Sequence, residues 1–149
     1  MEPQQNPSVA LIREFARTYL RLQRLFDNHL ASKGMSLSRL RLLSFLESGP
    51  RRAADIGIHF GHAPRTITEA VDGLEADGLV KRLACPGDRR AKLINITPKG
   101  RKTLTASQPL YEDLLLQTVG ALGQSAQISL RNVLKHLNAL MTPFDGGDK

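Results

Sequence analysis

The stretch that decides the fold runs from Ala63 to Lys102 and reads APRTITEAVDGLEADGLVKRLACPGDRRAKLINITPKGRK. Pro64 suits the start of a helix, because the N–H that proline lacks has no partner at the first helical position. Gly78 ends that helix, and Pro86-Gly87-Asp88 is a turn between two strand-like segments. The stretch therefore predicts a helix, a β-hairpin and the start of another helix. The strand-like segments are residues 79–84 and 93–97.

Further helices are predicted on both sides of this unit. From Val9 to about Ser32 apolar residues recur at steps of three and four, the spacing of one helix face. A helix followed by a basic hairpin is typical of a winged helix-turn-helix. We therefore expect a mainly α fold with a small β-hairpin wing, flanked by N- and C-terminal helices. The other predicted helices are residues 37–48, 53–60, 98–119 (kinked at Pro109) and 125–141, with Ser8, Ser36 and Thr97 as caps.

Positive charge is concentrated in the middle of the chain. The formal net charge is +7, and residues 50–102 hold eleven Lys and Arg against six Asp and Glu. Such a balance suits a polyanionic partner, either nucleic acid or an anionic membrane surface. Charge alone leaves open a solvated basic face with no partner.

Composition disfavours several other classes of protein. The longest apolar runs span a few residues, whereas a membrane span needs about 20, and no secretory signal is expected. Cys85 is the only cysteine, which favours a reducing cytoplasm. His59 and His62 lack further ligands at metal-binding spacing, so no metal site is expected. Since no nucleophile–base pair, catalytic carboxylate pair or phosphate loop is evident, neither an enzyme nor a cofactor is predicted.

The first turn of the helix that begins at Pro64 carries side chains suited to DNA. A recognition helix places short polar and basic residues in the major groove, where they reach base edges. Arg65, Thr66 and Thr68 occupy that turn, and the positive end of the helix dipole suits phosphate. The alternative is an exposed helix start without a ligand.

The predicted hairpin tip carries two arginines. Arg89 and Arg90 are expected on an exposed turn, and arginine is attracted by the negative potential of a narrow minor groove. Asp88 is expected to pair with an arginine and orient it. The alternative for Asp88 is an Asx-type turn in a solvated loop.

Two motifs of this stretch resemble those of the MarR family of regulators. The segment from Asp88 to Gly100, DRRAKLINITPKG, is similar to the family's wing pattern D-x-R-x-x-x-[I/V]-x-[L/I]-T-x-x-G. Residues 74–82, LEADGLVKR, are similar to its L-E-x-x-G-L-[V/I]-x-R. The form C-x-x-D-R-R-A-K, which begins at Cys85, resembles the SlyA-type branch.

The resemblance implies a sequence-specific transcriptional regulator that binds double-stranded DNA as a homodimer on an inverted repeat. It further implies that the regulator is a repressor, and that a small aromatic or anionic ligand releases it from DNA. Arg65, Thr66 and Thr68 would read the major groove, and Arg90 would enter the minor groove with support from Asp88. The implied DNA-binding residues are Pro64, Arg65, Thr66, Thr68, Arg82, Asp88, Arg89, Arg90 and Ser36, of which Arg82 and Ser36 would contact phosphate.

The domain organisation also follows from the resemblance. Residues 36–99 would form the DNA-binding domain, and residues 8–33 and 100–141 would intertwine with a second copy. Residues 1–7 and 142–149 would be flexible tails. The apolar stripes of the long helices agree with a dimer interface. The expected dimer contacts are Ile12, Phe15, Tyr19, Leu130, Leu134 and Leu137.

Several alternatives remain open from the sequence. Arg13, Arg17, Tyr19 and His29 could face a ligand crevice, or they could be surface or interface residues. The winged fold could be a protein-interaction module that does not read DNA. Cys85, which lies near two arginines, could act as a redox switch.

Overall fold

The structure, a computed structural model, describes residues 6–145. In these residues the predicted fold class is confirmed: the chain is mainly α, with one small antiparallel sheet. The helices are α1 (Pro7–Leu30), α2 (Leu37–Leu46), α3 (Ala53–Phe60), α4 (Pro64–Ala76), α5 (Pro98–Gln117) and α6 (Gln124–Met141). The strands are β1 (Arg51–Arg52), β2 (Val80–Cys85) and β3 (Asp88–Ile96).

The chain divides into two compact units, and the division falls between Tyr111 and Glu112, inside α5. The first unit contains α1 to α4, the sheet and the first part of α5. The second contains the end of α5 and all of α6. The sequence analysis divided the chain differently, into a DNA-binding domain and a dimerisation region. That division is by function rather than by compactness, and it stays a prediction.

Leucine and isoleucine side chains from four helices form the core of the first unit. Leu43, Ile56, Leu74 and Leu104, from α2 to α5 respectively, are all fully buried. Burying each such side chain contributes roughly 1.5–3 kcal/mol. The core therefore fixes which face of each helix is turned toward solvent.

The sheet has a third strand that the sequence analysis missed. Its order is β1-β3-β2, with Arg51 opposite Ile94 and Arg52 opposite Leu93. The predicted two-stranded hairpin was therefore incomplete. A strand of two arginines carries no alternating apolar pattern, so periodicity could not find it.

The hairpin turn is tighter than predicted. It consists of Pro86 and Gly87, and Gly87 has φ of +82°, a conformation that favours glycine. Strand β3 already begins at Asp88, so the prediction that Asp88, Arg89 and Arg90 lie in the turn was wrong. The ladder is irregular at this point, because Cys85 faces Asp88 whereas Ala84 faces Lys92.

Helix starts follow the expected capping chemistry, with two differences. Ser36 caps α2 as predicted, its Oγ accepting from the backbone N of Arg39 at 3.2 Å. Asp27 of α1 adds an unpredicted cap, since its Oδ1 accepts from Leu37 N at 2.8 Å. Helix α1 is capped by Asn6 rather than by Ser8, which donates its backbone N–H to the Asn6 side chain.

Gly100 holds the first turn of α5 against the end of α4. A Cβ at this position would lie 2.1 Å from the carbonyl oxygen of Leu79. Beside it, Thr97 accepts from the Gly100 N–H at 3.0 Å and donates its hydroxyl to the Gly78 carbonyl at 2.6 Å. The T-x-x-G motif therefore allows a close backbone approach at the base of the wing.

The second unit has little core of its own. No residue of α6 is buried, and Gln127 donates to the carbonyl of Gly120 at 3.2 Å to fix the turn before the helix. Helix α5 continues across Pro109. Of the predicted tails, Pro7 belongs to α1 and Thr142–Phe144 form a 3-10 turn, while residues 1–5 and 146–149 lie outside the described part.

Candidate nucleic-acid interface

Helix α4 turns its polar first turn away from the core. Ile67, Val71 and Leu74 repeat at helical spacing and are all buried. Arg65, Thr66 and Thr68 lie off that stripe and are all exposed. The three predicted base-reading residues therefore share an accessible helix start.

Arg65 has a partner within the helix that was not predicted. Its Nε lies 3.0 Å from Oε1 of Glu69, and the two side chains are 90% and 66% exposed. An exposed pair four residues apart contributes only about 0.3–0.5 kcal/mol. The pair directs Arg65 without preventing its transfer to a base, and the four-residue spacing could have revealed it.

The N-terminus of α4 has no side-chain cap. Pro64 is the first helical residue, and Ala63 at the cap position has no oxygen to offer. Losing a cap costs roughly 1 kcal/mol of helix stability. It also leaves the first backbone N–H groups for an external acceptor such as phosphate.

Asp88 supports Arg90 through the backbone rather than through an ion pair. Its Oδ1 accepts the Arg90 N–H at 2.9 Å, which is the Asx-turn alternative. Arg89 and Arg90 are both exposed. Because residues 89–91 fall between two ladder pairs, the strand bulges where the two arginines project.

Arg82, predicted as a phosphate contact, is bound by two carboxylates of the protein. Its Nη1 lies 2.6 Å from Glu75 Oε1, and its Nη2 lies 2.5 Å from Asp72 Oδ1. Partial burial lowers the pKa of the guanidinium, but hydrogen bonds and charge attraction to the two carboxylates outweigh it, so the net pKa is raised. Arg82 therefore stays charged at every relevant pH.

Two cations join the ends of three helices around Asp77. Arg39 Nη1 lies 2.6 Å from Asp77 Oδ2, and Lys99 Nζ donates to the Asp77 carbonyl at 2.8 Å. These contacts link α2, the end of α4 and the start of α5. Ser36 lies at the same end of α2, where its hydroxyl already accepts as a cap.

Cys85 lies at the end of β2 with 9% exposure. Its Sγ accepts from Arg52 Nη2 at 3.4 Å, so its partner is an arginine of β1 rather than one near it in the sequence. Burial limits the access of oxidants, and reactive cysteines are normally accessible. The geometry therefore favours a structural side chain over a redox switch.

The long helices leave apolar side chains in solvent. On α1, Ile12, Phe15 and Tyr19 are 46–55% exposed. On α6, Leu130 and Leu137 are exposed and Leu134 is half-buried. Contiguous exposed apolar side chains often mark interaction surfaces.

The proposed ligand-facing residues of α1 are not part of a described cavity. Arg13, Arg17, Tyr19 and His29 are exposed, and Arg17 lies 3.8 Å from Glu14. The first unit does contain a cavity of about 260 Å³ between α2 and α4. Its lining includes Arg41, Phe60, His62 and Thr66.

The structure adds two findings on metals and membranes. Within residues 6–145, no three His, Cys, Asp or Glu side chains come together as metal ligands. None of the helices in this part combines the length and apolar character needed to cross a bilayer.

Comparison with known proteins agrees with this geometry. A model of the MarR family matches residues 33–91, which include α2 to α4 and most of the wing. The transcriptional regulator HosA of Escherichia coli O111:H- is 31% identical over 75 residues, which is 50% of this chain and 56% of HosA. The chain therefore matches little more than half of that relative.

Two solved structures share the fold over most of the chain. A mutant form of E. coli MarR, complexed with operator DNA, superposes with a TM-score of 0.83 at 20% identity, covering 91% of this chain and 99% of that one. The organohalide-sensing regulator RdhR-CbdbA1625, bound to 2,4-dichlorophenol, gives 0.87 at 15% identity, covering 95% and 85%.

The fold is that of a winged helix, with exposed basic residues at the start of α4 and on the wing. Over residues 33–91 the chain is similar to the MarR family of regulators.

Proposed function

We propose that this protein binds double-stranded operator DNA as a homodimer and represses transcription from an inverted-repeat site. The observation that carries the proposal is the exposed, uncapped start of α4, where Arg65 is 90% exposed beside Thr66 and Thr68. Arg65, Thr66 and Thr68, positioned by Pro64, would contact base edges in the major groove.

The wing supplies the second contact. Arg90 would enter the minor groove, with its backbone fixed by Asp88, and Arg89 would lie against the phosphates. Ser36, at the start of α2, would contribute a phosphate contact through its hydroxyl proton, which the cap to Arg39 does not use. Arg82 belongs to neither set, since two carboxylates already bind its guanidinium.

Exposed apolar residues support the homodimer. The α1 set (Ile12, Phe15, Tyr19) and the α6 set (Leu130, Leu134, Leu137) would be buried against a second copy. A twofold dimer presents two equal lobes, so its operator should consist of two half-sites about one helical turn apart, ~34 Å. The SlyA-like form of the wing leads us to propose that branch of the family.

A small aromatic or anionic ligand would release the DNA. The dichlorophenol-bound RdhR structure shares this fold, and the arginines of α1 would offer an anion a partner. A ligand can act this way only by binding the DNA-incompetent form more tightly. Titration with 2,4-dichlorophenol should lower operator affinity, and Arg17→Ala should weaken that response if α1 holds the ligand.

Selection of bound sequences from random duplex DNA tests the function. Recovery of an inverted repeat would support the proposal, and its occupation should block transcription in vitro. Recovery of no preferred sequence, together with binding that does not weaken with salt, would favour the interaction-module alternative. We place the protein in the cytoplasm, where such an operator is accessible.

A further inference from the structure

Arg82 joins α4 to the wing through its guanidinium and through its backbone N–H. The guanidinium lies 2.6 Å from Glu75 and 2.5 Å from Asp72. The backbone N–H of Arg82 also donates to Glu75 Oε2 at 3.1 Å. Glu75 therefore uses one carboxylate oxygen for the main chain of β2 and the other for the side chain.

Both ends of this clamp are anchored. Asp72 and Glu75 are three residues apart on α4, on the same side of the helix, and the buried Leu74 between them fixes the helix in the core. On the strand side, Arg82 stands opposite the buried Ile94 in the ladder between β2 and β3. Strand β3 continues from there to Arg90.

The local charge does not suit a phosphate. Two carboxylates surround one guanidinium, so the cluster carries a net negative charge, and a phosphate near it would be repelled by the uncompensated carboxylate. The Arg82 side chain is 27% exposed, less than either carboxylate. Arg82 is therefore placed to connect β2 to α4 within the protein rather than to contact DNA.

We propose that Arg82 is a positioning residue, which holds the wing against α4 so that Arg90 and Arg65 keep the separation needed to reach both grooves. The inference rests on the proposed DNA-binding function. The clamp would order the wing before DNA arrives, and preorganisation of this kind improves affinity by reducing the ordering cost of binding.

Two variants of equal charge separate the clamp from a phosphate contact. Arg82→Gln and Lys81→Gln remove one positive charge from adjacent positions of β2, and Lys81 is exposed. A phosphate contact contributes about one unit to the slope of log affinity against log salt concentration. We expect Arg82→Gln to weaken operator binding roughly tenfold with the salt slope unchanged. A slope lower by about one unit would overturn the proposal.

The conservative variant gives a second test. Lysine keeps the charge but cannot bridge two carboxylates with a planar fork. Arg82→Lys should therefore bind DNA nearly as weakly as Arg82→Gln, whereas recovery of wild-type affinity would overturn the proposal. The lysine variant also keeps the test available if the glutamine variant fails to fold.

Amide hydrogen exchange in the protein without DNA completes the experiment. Arg82→Gln and Arg82→Lys should exchange faster at β2 and β3, and Lys81→Gln should not. Unchanged exchange in the wing would refute the clamp even if DNA affinity falls. If the wild-type protein shows no salt-dependent duplex binding, the proposed function fails, but the exchange result still decides whether the clamp exists.

Discussion

Replacing Arg65 with alanine should weaken operator binding and relax the choice of base beneath it. The side chain is 90% exposed and held 3.0 Å from Glu69 at the start of α4. Because the exposed ion pair is worth only about 0.3–0.5 kcal/mol, the side chain can leave Glu69 and reach a base edge at small cost. Its loss should therefore affect DNA binding far more than folding.

The expected losses of DNA-binding affinity and of folding stability can be estimated separately. Removing a base-contacting arginine costs about 1–3 kcal/mol of binding, which corresponds to roughly 5- to 150-fold in Kd. Losing the pair with Glu69 should lower the Tm by less than about 2 °C in a protein of this size. Some of the binding loss would arise from the carboxylate of Glu69, left without its partner near DNA. Adding Glu69→Gln to Arg65→Ala should recover that part.

Fluorescence anisotropy at fixed salt is the suitable assay. The operator is compared with duplexes changed at single positions, and Lys102→Ala, a substitution of another exposed cation, serves as the control. The discrimination at one position of each half-site should collapse in Arg65→Ala alone. An equal loss on every duplex, or no loss at all, would refute the base-reading role.

Three further substitutions test other parts of the structure. Gly100→Ala should destabilise the protein by about 3 kcal/mol or more, because its Cβ would lie 2.1 Å from the Leu79 carbonyl oxygen; thermal unfolding measures this, and a Tm near wild type would contradict the geometry. Arg90→Ala should weaken binding to all duplexes by roughly tenfold with base preference retained, and a changed preference in site selection would contradict a minor-groove role. Leu137→Asp should give a monomer in analytical ultracentrifugation, because a charge in an apolar interface is costly. A persistent dimer would exclude this face of α6 as the interface.

The sequence predicted the helices well because their signals are local. Pro64 and Gly78 mark the two ends of α4 to within a few residues. The apolar spacing of α1 shows the length of that helix directly. The same reasoning failed at Arg51 and Arg52, whose strand is too short for any periodicity. It also misplaced Asp88, because Asp, Gly and Pro are typical turn residues wherever a hairpin reverses.

The features that could not be predicted from the sequence depend on contacts between residues far apart in the chain. Arg82 contacts Asp72 and Glu75 only because the chain reverses direction at Gly78. From the sequence alone, Arg82 could be recognised only as a basic residue on a strand. The Asp27 cap on α2 likewise joins two helices across a turn. The Asx turn at Asp88 was considered as an alternative, and only the placement of the Arg90 N–H decided in its favour.

The central claim, that two copies read two half-sites together, is tested most directly by the stoichiometry and spacing dependence of the DNA complex. Mass photometry or ultracentrifugation of the selected duplex should show two chains bound. Inserting about 5 base pairs between the half-sites turns one lobe to the opposite side of the helix, so affinity should fall to that of a single half-site. One chain per duplex, with affinity indifferent to the insertion, would contradict the account.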